Sequence, residues 1–120
     1  MRAASGITLL VSAVILIGAG SAARALSAIG IRTAVHNCQN ADLASQVRIE
    51  ACSEAIHTNL ASQGVLARLY FHRAAAYEAA NDFDHALQDY NKALELTPDF
   101  AEAKADRARL LEQHPANTAK

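Results

Sequence analysis

YFHRAAAYEAANDFDHALQDYNKALELTP, residues Tyr70 to Pro98, is the stretch whose spacing decides the fold. Its first half places Tyr70, Ala74 and Tyr77 at intervals of four and three, one stripe of an α-helix. Leu66 extends that stripe backward with Leu69 on its flank, so a helix is expected from about Val65 to Ala80. Asn81-Asp82 then breaks the pattern. Asparagine tolerates the left-handed conformation that closes a helix, and an aspartate beside it can cap the next one. The second half predicts a helix over roughly Phe83 to Leu96 that buries Phe83, Ala86, Leu87, Tyr90, Ala93 and Leu94. Thr97 precedes Pro98, and the residue before a proline is driven out of the helical region. Asp82 and Asp84 also have the Asp-x-Asp spacing that opens a calcium loop, but the Gly and bidentate Glu such a loop needs do not follow. Helix capping explains the pair.

Working outward, the same periodicity predicts two flanking helices. Asp42 is the expected N-cap of one that carries Ile49, Cys52 and Ile56 on a stripe beside Ala51 and Ala55 and stops near Thr58-Asn59. Gln63-Gly64 is expected to punctuate the loop after it. Beyond Pro98, a last helix runs from about Phe100 to Gln113, where His114-Pro115 stops it and residues 116–120 form a tail. Residues 26–41 contain Gly30 and the polar run His36 to Asn40 without strong periodicity, so an extended lead-in is expected there. Outside the apolar leader no segment alternates as a strand would. The expected fold class is all-α, about four helices over residues 42–115 joined as short antiparallel hairpins.

The spacing Tyr70, Ala74, Tyr77, Ala86, Tyr90, Ala93, Pro98 resembles the tetratricopeptide repeat, a helix-turn-helix unit of about 34 residues with the pattern W-x2-L-G-x2-Y, then A-x3-F, then P. Tyr70 stands in the Trp slot, Ala74 in the Gly slot, Tyr77 in the Tyr slot, Ala86 and Tyr90 in the Ala and Phe slots, and Pro98 closes the unit. The one unconservative departure is Arg73, where Leu is usual. One full unit spans residues 67–100. Arg48-Ile49, Cys52 and Ala55-Ile56 repeat the spacing of Ala86-Leu87, Tyr90 and Ala93-Leu94 at an offset of 38, so the first helix resembles the second half of a degenerate earlier unit. The last helix resembles the first half of a following one. Stacks of this kind ordinarily need about three repeats, because each unit touches only its neighbours. One unit and two halves therefore need further support, from a disulfide or from self-association.

The N-terminus reads MRAASGITLLVSAVILIGAG: one Arg, an apolar run without charge until Arg24, then small residues. That order is the layout of a secretory signal peptide over residues 1–25, with Ala23-Arg24-Ala25 as the best cleavage triplet. The alternative is an uncleaved membrane anchor, since Ile7 to Ala23 is 17 apolar or small residues, at the short end of the ~17–25 that can span a bilayer. The expected location is periplasmic or secreted, or inner-membrane anchored with the helical part facing the periplasm. With Cys38 before and Cys52 within the first expected helix, the chain is also similar to the small exported tetratricopeptide proteins of Gram-negative bacteria, which carry a similar Cys at both places. Removing Arg2 and Arg24 leaves 9 basic against 12 acidic side chains and no basic stripe, which argues against a nucleic-acid partner. Cys38 and Cys52 fall in the exported part, where thiols are oxidised. An even cysteine count there suggests a structural disulfide, with two buried free thiols as the alternative. Their spacing fits neither a C-x-x-C redox centre nor a zinc site.

No Ser-His-Asp or Cys-His arrangement and no phosphate-binding glycine loop can be placed, so no catalytic residue, metal or cofactor is expected. The histidines His36, His57, His72, His85 and His114 do not fall at i, i+4 ligand spacing and are read as solvent-facing or interface residues. The resemblance implies a non-enzymatic protein-interaction module. In this family the first helix of each unit lines a concave groove for an extended peptide or partner helix. Matching positions give Arg68, Phe71, Ala75, Glu78 and Ala79, then Glu102, Ala105 and Arg109. Phe71 is either a partner anchor or packed on the lead-in. The Lys and Asn set that clamps a peptide carboxylate in some relatives is absent, since Phe71 and Ala75 hold those places. A second reading is a membrane-tethered accessory subunit of a cell-envelope complex.

Overall fold

The structure is a computed structural model that describes residues 19–115, with side chains from residue 29 onward. The apolar run of the expected leader and the tail at 116–120 lie outside the described residues. Five helices are described, α1 (Ala19–Gln39), α2 (Ser45–His57), α3 (Gln63–Ala79), α4 (Phe83–Leu96) and α5 (Ala101–Gln113), and among the described residues there is no strand. The chain divides into two units, residues 1–30 and 31–120. In the first, helical backbone is described from Ala19 onward; the buried core belongs to the second. Among the described residues no helix is long and apolar enough to cross a membrane.

The all-α stack of hairpins expected from the spacing is present, with α3 packed on α2 and α4, and α5 packed on α4. The extended lead-in is corrected: residues 31–39 are the last turns of α1. Their helical register was hidden because the apolar face that carries it is short and the polar run from His36 interrupts it. Ala34 and Cys38, at i and i+4, are buried with Val35 against Ala51, Cys52, Ala55 and Ile56 of α2 and Leu69 of α3. Asp42 is also corrected. Ala44 is the N-cap of α2, and the Asp42 N–H donates to Asn40 Oδ1 at 3.0 Å in the loop before it. Gln63-Gly64 opens α3 instead of interrupting the loop, and the Gln63 amide donates to the Leu96 carbonyl at 2.8 Å, tying the start of α3 to the end of α4.

The turn between α3 and α4 follows its sequence signals closely. Asn81 sits at φ 59°, in the left-handed region. The Asn81 N–H donates to Glu78 O and the Asp82 N–H to Tyr77 O, both at 2.9 Å, the bond pair of a Schellman closure. Asp82 then caps α4 by accepting from the His85 N–H at 3.4 Å and pairs with the His85 ring nitrogen Nδ1 at 2.7 Å. With the Tyr77 and Glu78 carbonyls and the His85 amide satisfied in this way, the chain reverses in three residues.

The core lies in two clusters. One joins α1, α2 and α3 around Cys38, Cys52, Ala55 and Leu69; the other joins α3, α4 and α5 around Ala74, Ala86, Tyr90 and Leu110. Ala74, Ala76, Ala86, Ala93 and Ala103 are each fully inaccessible to solvent, so the helices meet at the distance a methyl group allows. Large side chains fully buried are few, chiefly Tyr90, Leu69 and Leu110. Each such side chain contributes roughly 1.5–3 kcal/mol. A disulfide closing a loop of about 15 residues adds ~3 kcal/mol on the chain-entropy account, as much as one of these side chains. The Cys38 and Cys52 sulfurs stand 2.11 Å apart, at disulfide distance. The bridge joins two helices, α1 and α2, where the sequence suggested a bridge from a lead-in to a helix.

Leu69, placed on the flank by the sequence, is 1% exposed, while Leu66, Tyr70 and Tyr77 are half-buried. The difference arises because α3 is covered on two sides, by α2 and by α4, and no single stripe serves both. Replacing Ala86 by Leu drives three more carbons into a contact with no free volume and is expected to destabilise by about 1–3 kcal/mol. Leu87→Met, at a half-buried position, should stay under about 1.5 kcal/mol. Urea denaturation of the two variants checks the order.

Candidate partner-binding face

Because Leu69, Ala74 and Ala76 turn inward, α3 presents Arg68, Phe71, His72, Ala75, Glu78 and Ala79 along its other side. The α4–α5 corner and the first turn of α5 stand opposite. Between them lies a depression of about 680 Å³, lined on one wall by Ser62, Gly64, Val65, Arg68, Phe71 and His72 and on the other by Thr97, Asp99, Phe100, Ala101 and Glu102. Arg68, Phe71 and Glu102, singled out from the sequence, converge on it.

Phe71 packs neither free in solvent nor on the lead-in. Its ring centroid is 4.9 Å from that of Phe100 and 5.9 Å from that of Tyr90, so it bridges α3 to α4 and to the residue that leads into α5. It is half-buried and forms part of the depression's wall. His72, beside it, is half-buried as well. Burial lowers its pKa below the ordinary histidine value, and the positive charges of Arg48 and Arg68 lower it further, so the imidazole is held neutral. Arg48 is 8% exposed and its Nε has no hydrogen-bond partner.

Glu78 and Arg109 have a different arrangement. The Arg109 guanidinium donates through both terminal nitrogens to the Glu78 carboxylate, and the Tyr90 hydroxyl donates to Glu78 Oε2 at 3.0 Å. Arg109 also meets Asp106 at 3.3 Å. Hydrogen bonds to Glu78 raise the Arg109 pKa; burial raises that of Tyr90, with the Glu78 charge adding to it. These residues surround a second depression of about 300 Å³ with Ala75 and Ala79. Glu78 and Arg109 thus spend their charge on each other and join α3 to α5. Ala105 lines neither depression.

Arg73, the unconservative residue of the pattern, has a role that the sequence reading did not find. Its Nε and Nη2 donate to the two oxygens of Asp89 at 2.7 and 2.9 Å, and Nη1 donates to Ser53 Oγ at 3.0 Å. Ser53 in turn donates to the Ile49 carbonyl at 2.7 Å. One guanidinium therefore ties α3 to α4 and to α2, and it lies over the rings of Tyr70 and Tyr77 at 5.4 and 5.8 Å. The signal was available in pieces: an arginine in an apolar slot, and an aspartate on the next helix at a position that the fold buries, here 6% exposed. His85 is exposed and lays its ring against Tyr77 at 5.1 Å, while the half-buried His114 stacks on Phe83 at 3.6 Å.

Two hairpins in sequence, a three-residue turn closed by Asn81, and alanines at the helix contacts are the geometry of a helical repeat. Residues 67–100 match the family model of the tetratricopeptide repeat. Over this segment the chain is similar to that repeat. The matched residues are those that the spacing marks as the full unit, α3 and α4 with the closing Pro98. Repeats of this family mediate protein–protein interaction and are typically non-catalytic. Neither the curated proteins nor the solved structures yield a match to the chain. Within the matched residues, Ala74, Ala86, Tyr90 and Ala93 are fully buried, and Tyr70 and Tyr77 half-buried. The two depressions lie on the side of their first helix.

Arg73→Met would leave the Asp89 carboxylate buried without a partner, an expected loss of about 3–5 kcal/mol. The double variant R73M/D89L should recover most of that loss, and a double-mutant cycle by urea denaturation measures the coupling. His72 generates a pH dependence. The folded state binds fewer protons than the unfolded chain at pH values between its lowered pKa and about 6.5, so stability rises with pH across that window and falls on acidification. His72→Gln should flatten the dependence of the melting temperature on pH below about 6.5 relative to the parent chain.

Proposed function

We propose that the chain is a non-enzymatic, exported interaction module that holds a peptide or partner helix along the side of α3 facing the α4–α5 corner. The observation that carries this reading is the convergence of Arg68, Phe71 and Glu102 on one open depression of about 680 Å³, within the ~300–1,000 Å³ typical of ligand sites. The match to a family whose repeats mediate protein–protein interaction supports it. Export rests on the order of residues 1–25, basic start, apolar run and small-residue exit. If the leader is retained, the same face belongs to a membrane-tethered subunit of an envelope complex, and the N-terminal residue of the mature chain, read by mass spectrometry, separates the two.

The binding face is tested by a photo-crosslinking amino acid placed at Arg68 and, for comparison, at Asn91, an exposed position on α4. Adducts in the native cell should form from position 68 and be absent from position 91. Adducts of equal yield from both positions would remove the reason for assigning the partner to this face.

A further inference from the structure

On the side of α3 that carries both depressions, Glu78 and Arg109 neutralise each other. Among the described residues, Arg68, Asp99 and Glu102 form no ion pair, and all three line the depression between α3 and the α4–α5 corner. They are arranged by sign. Arg68 stands on the α3 wall beside His72, with Arg48 buried close enough to act on the same imidazole. Asp99 and Glu102 stand on the opposite wall, at the entry to α5.

Between the walls the surface is apolar. The Phe71 and Phe100 rings meet there at 4.9 Å, and Val65 is 42% exposed beside them. The first turns of α3 and α5 both border the depression, through Gly64 and Val65 and through Ala101 and Glu102, and neither helix has a side-chain cap. Their first amide N–H groups have no partner within their own helix and suit the carbonyls of an extended chain.

We propose that this depression takes an extended segment of a partner protein in which one acidic and one basic residue bracket an apolar residue, the acidic one meeting Arg68 and the basic one meeting Asp99 and Glu102. The proposal rests on the interaction reading above and adds the partner's chemistry. A wholly acidic segment would set one carboxylate against Asp99 and Glu102, and a wholly basic one would set a cation against Arg68. A segment of mixed sign satisfies both walls while its apolar residue covers Phe71, Phe100 and Val65, the kind of central anchor that carries most binding energy.

Fluorescein-labelled, end-capped peptides with glycine spacers and the central triads Glu-Leu-Lys, Glu-Leu-Glu, Lys-Leu-Lys and Gln-Leu-Gln, titrated with the full chain at low salt, test it by fluorescence anisotropy. Glu-Leu-Lys should bind about tenfold tighter than either like-charged peptide, equivalent to about 1.4 kcal/mol. Arg68→Glu should move the preference to Lys-Leu-Lys, and the double variant D99K/E102K should move it to Glu-Leu-Glu. Arg68 is exposed and unpaired, so Arg68→Glu is expected to keep the parent melting temperature, while D99K/E102K sets two cations at the start of α5 and should lower it slightly without unfolding the chain. Equal binding of all four peptides would overturn the charge rule and leave the binding face standing. Absence of binding by any of them would overturn both. Peptide-independent self-association that Arg68→Glu abolishes would also overturn the proposal, by giving the depression to a second copy of this chain.

Discussion

The approach of α3 to α4 is the contact on which the rest depends. Ala74 on one helix and Ala86 on the other, both fully buried in one cluster with Tyr90, let the two backbones approach closely at this seam. Tyr90 is then fully enclosed while its hydroxyl still reaches Glu78. Larger side chains at the alanine positions would open the seam, expose the Tyr90 ring and lengthen the reach to Glu78. The three-residue turn at Ala80 to Asp82 is the covalent counterpart of that seam, because it brings α4 back against α3 without slack.

Two polar devices lock the packed helices together. Arg73 reaches from α3 to Asp89 on α4 and Ser53 on α2, and the Glu78–Arg109 pair reaches from α3 to α5. A buried ion pair adds little net stability over a well-packed apolar pair, because desolvation offsets much of the attraction. Its geometry is specific, however: a bidentate guanidinium accepts one register of α3 against α4. In a short helical stack, where apolar burial alone is modest, such directional contacts and the Cys38–Cys52 bridge fix the neighbours of α3 on both sides.

Much of the fold was legible in the sequence, for identifiable reasons. The bounds of α4 follow from Asp82 at one end and Pro98 at the other, two residues whose backbone chemistry is local. The helix of residues 31–39 was missed because its buried face is short, Ala34 and Cys38 with Val35 beside them, and the polar run from His36 interrupts it. The α2 register survived comparison with α4: Arg48, Cys52, Ala55 and Ile56 are buried at the positions of Ala86, Tyr90, Ala93 and Leu94, with a disulfide where α4 has an aromatic ring. On the candidate face, Arg68, Phe71 and Glu102 were named by position in the repeat. That Asp99, Phe100 and His72 join them depends on how the α4–α5 corner folds over α3, which no spacing within one helix encodes.

The sequence by itself determined the class of the fold, the turn at Asn81, the stop at Pro98 and the small residues at the helix contacts, because each is set by backbone preference or by side-chain volume within a few residues. The tertiary structure alone decided which charges are used and which are left. Glu78 and Arg109 look as available as Arg68 and Glu102 when read along the chain, yet the packing of α5 pairs the first two and leaves the second two apart, because an ion pair requires two side chains from distant positions to arrive at the same point.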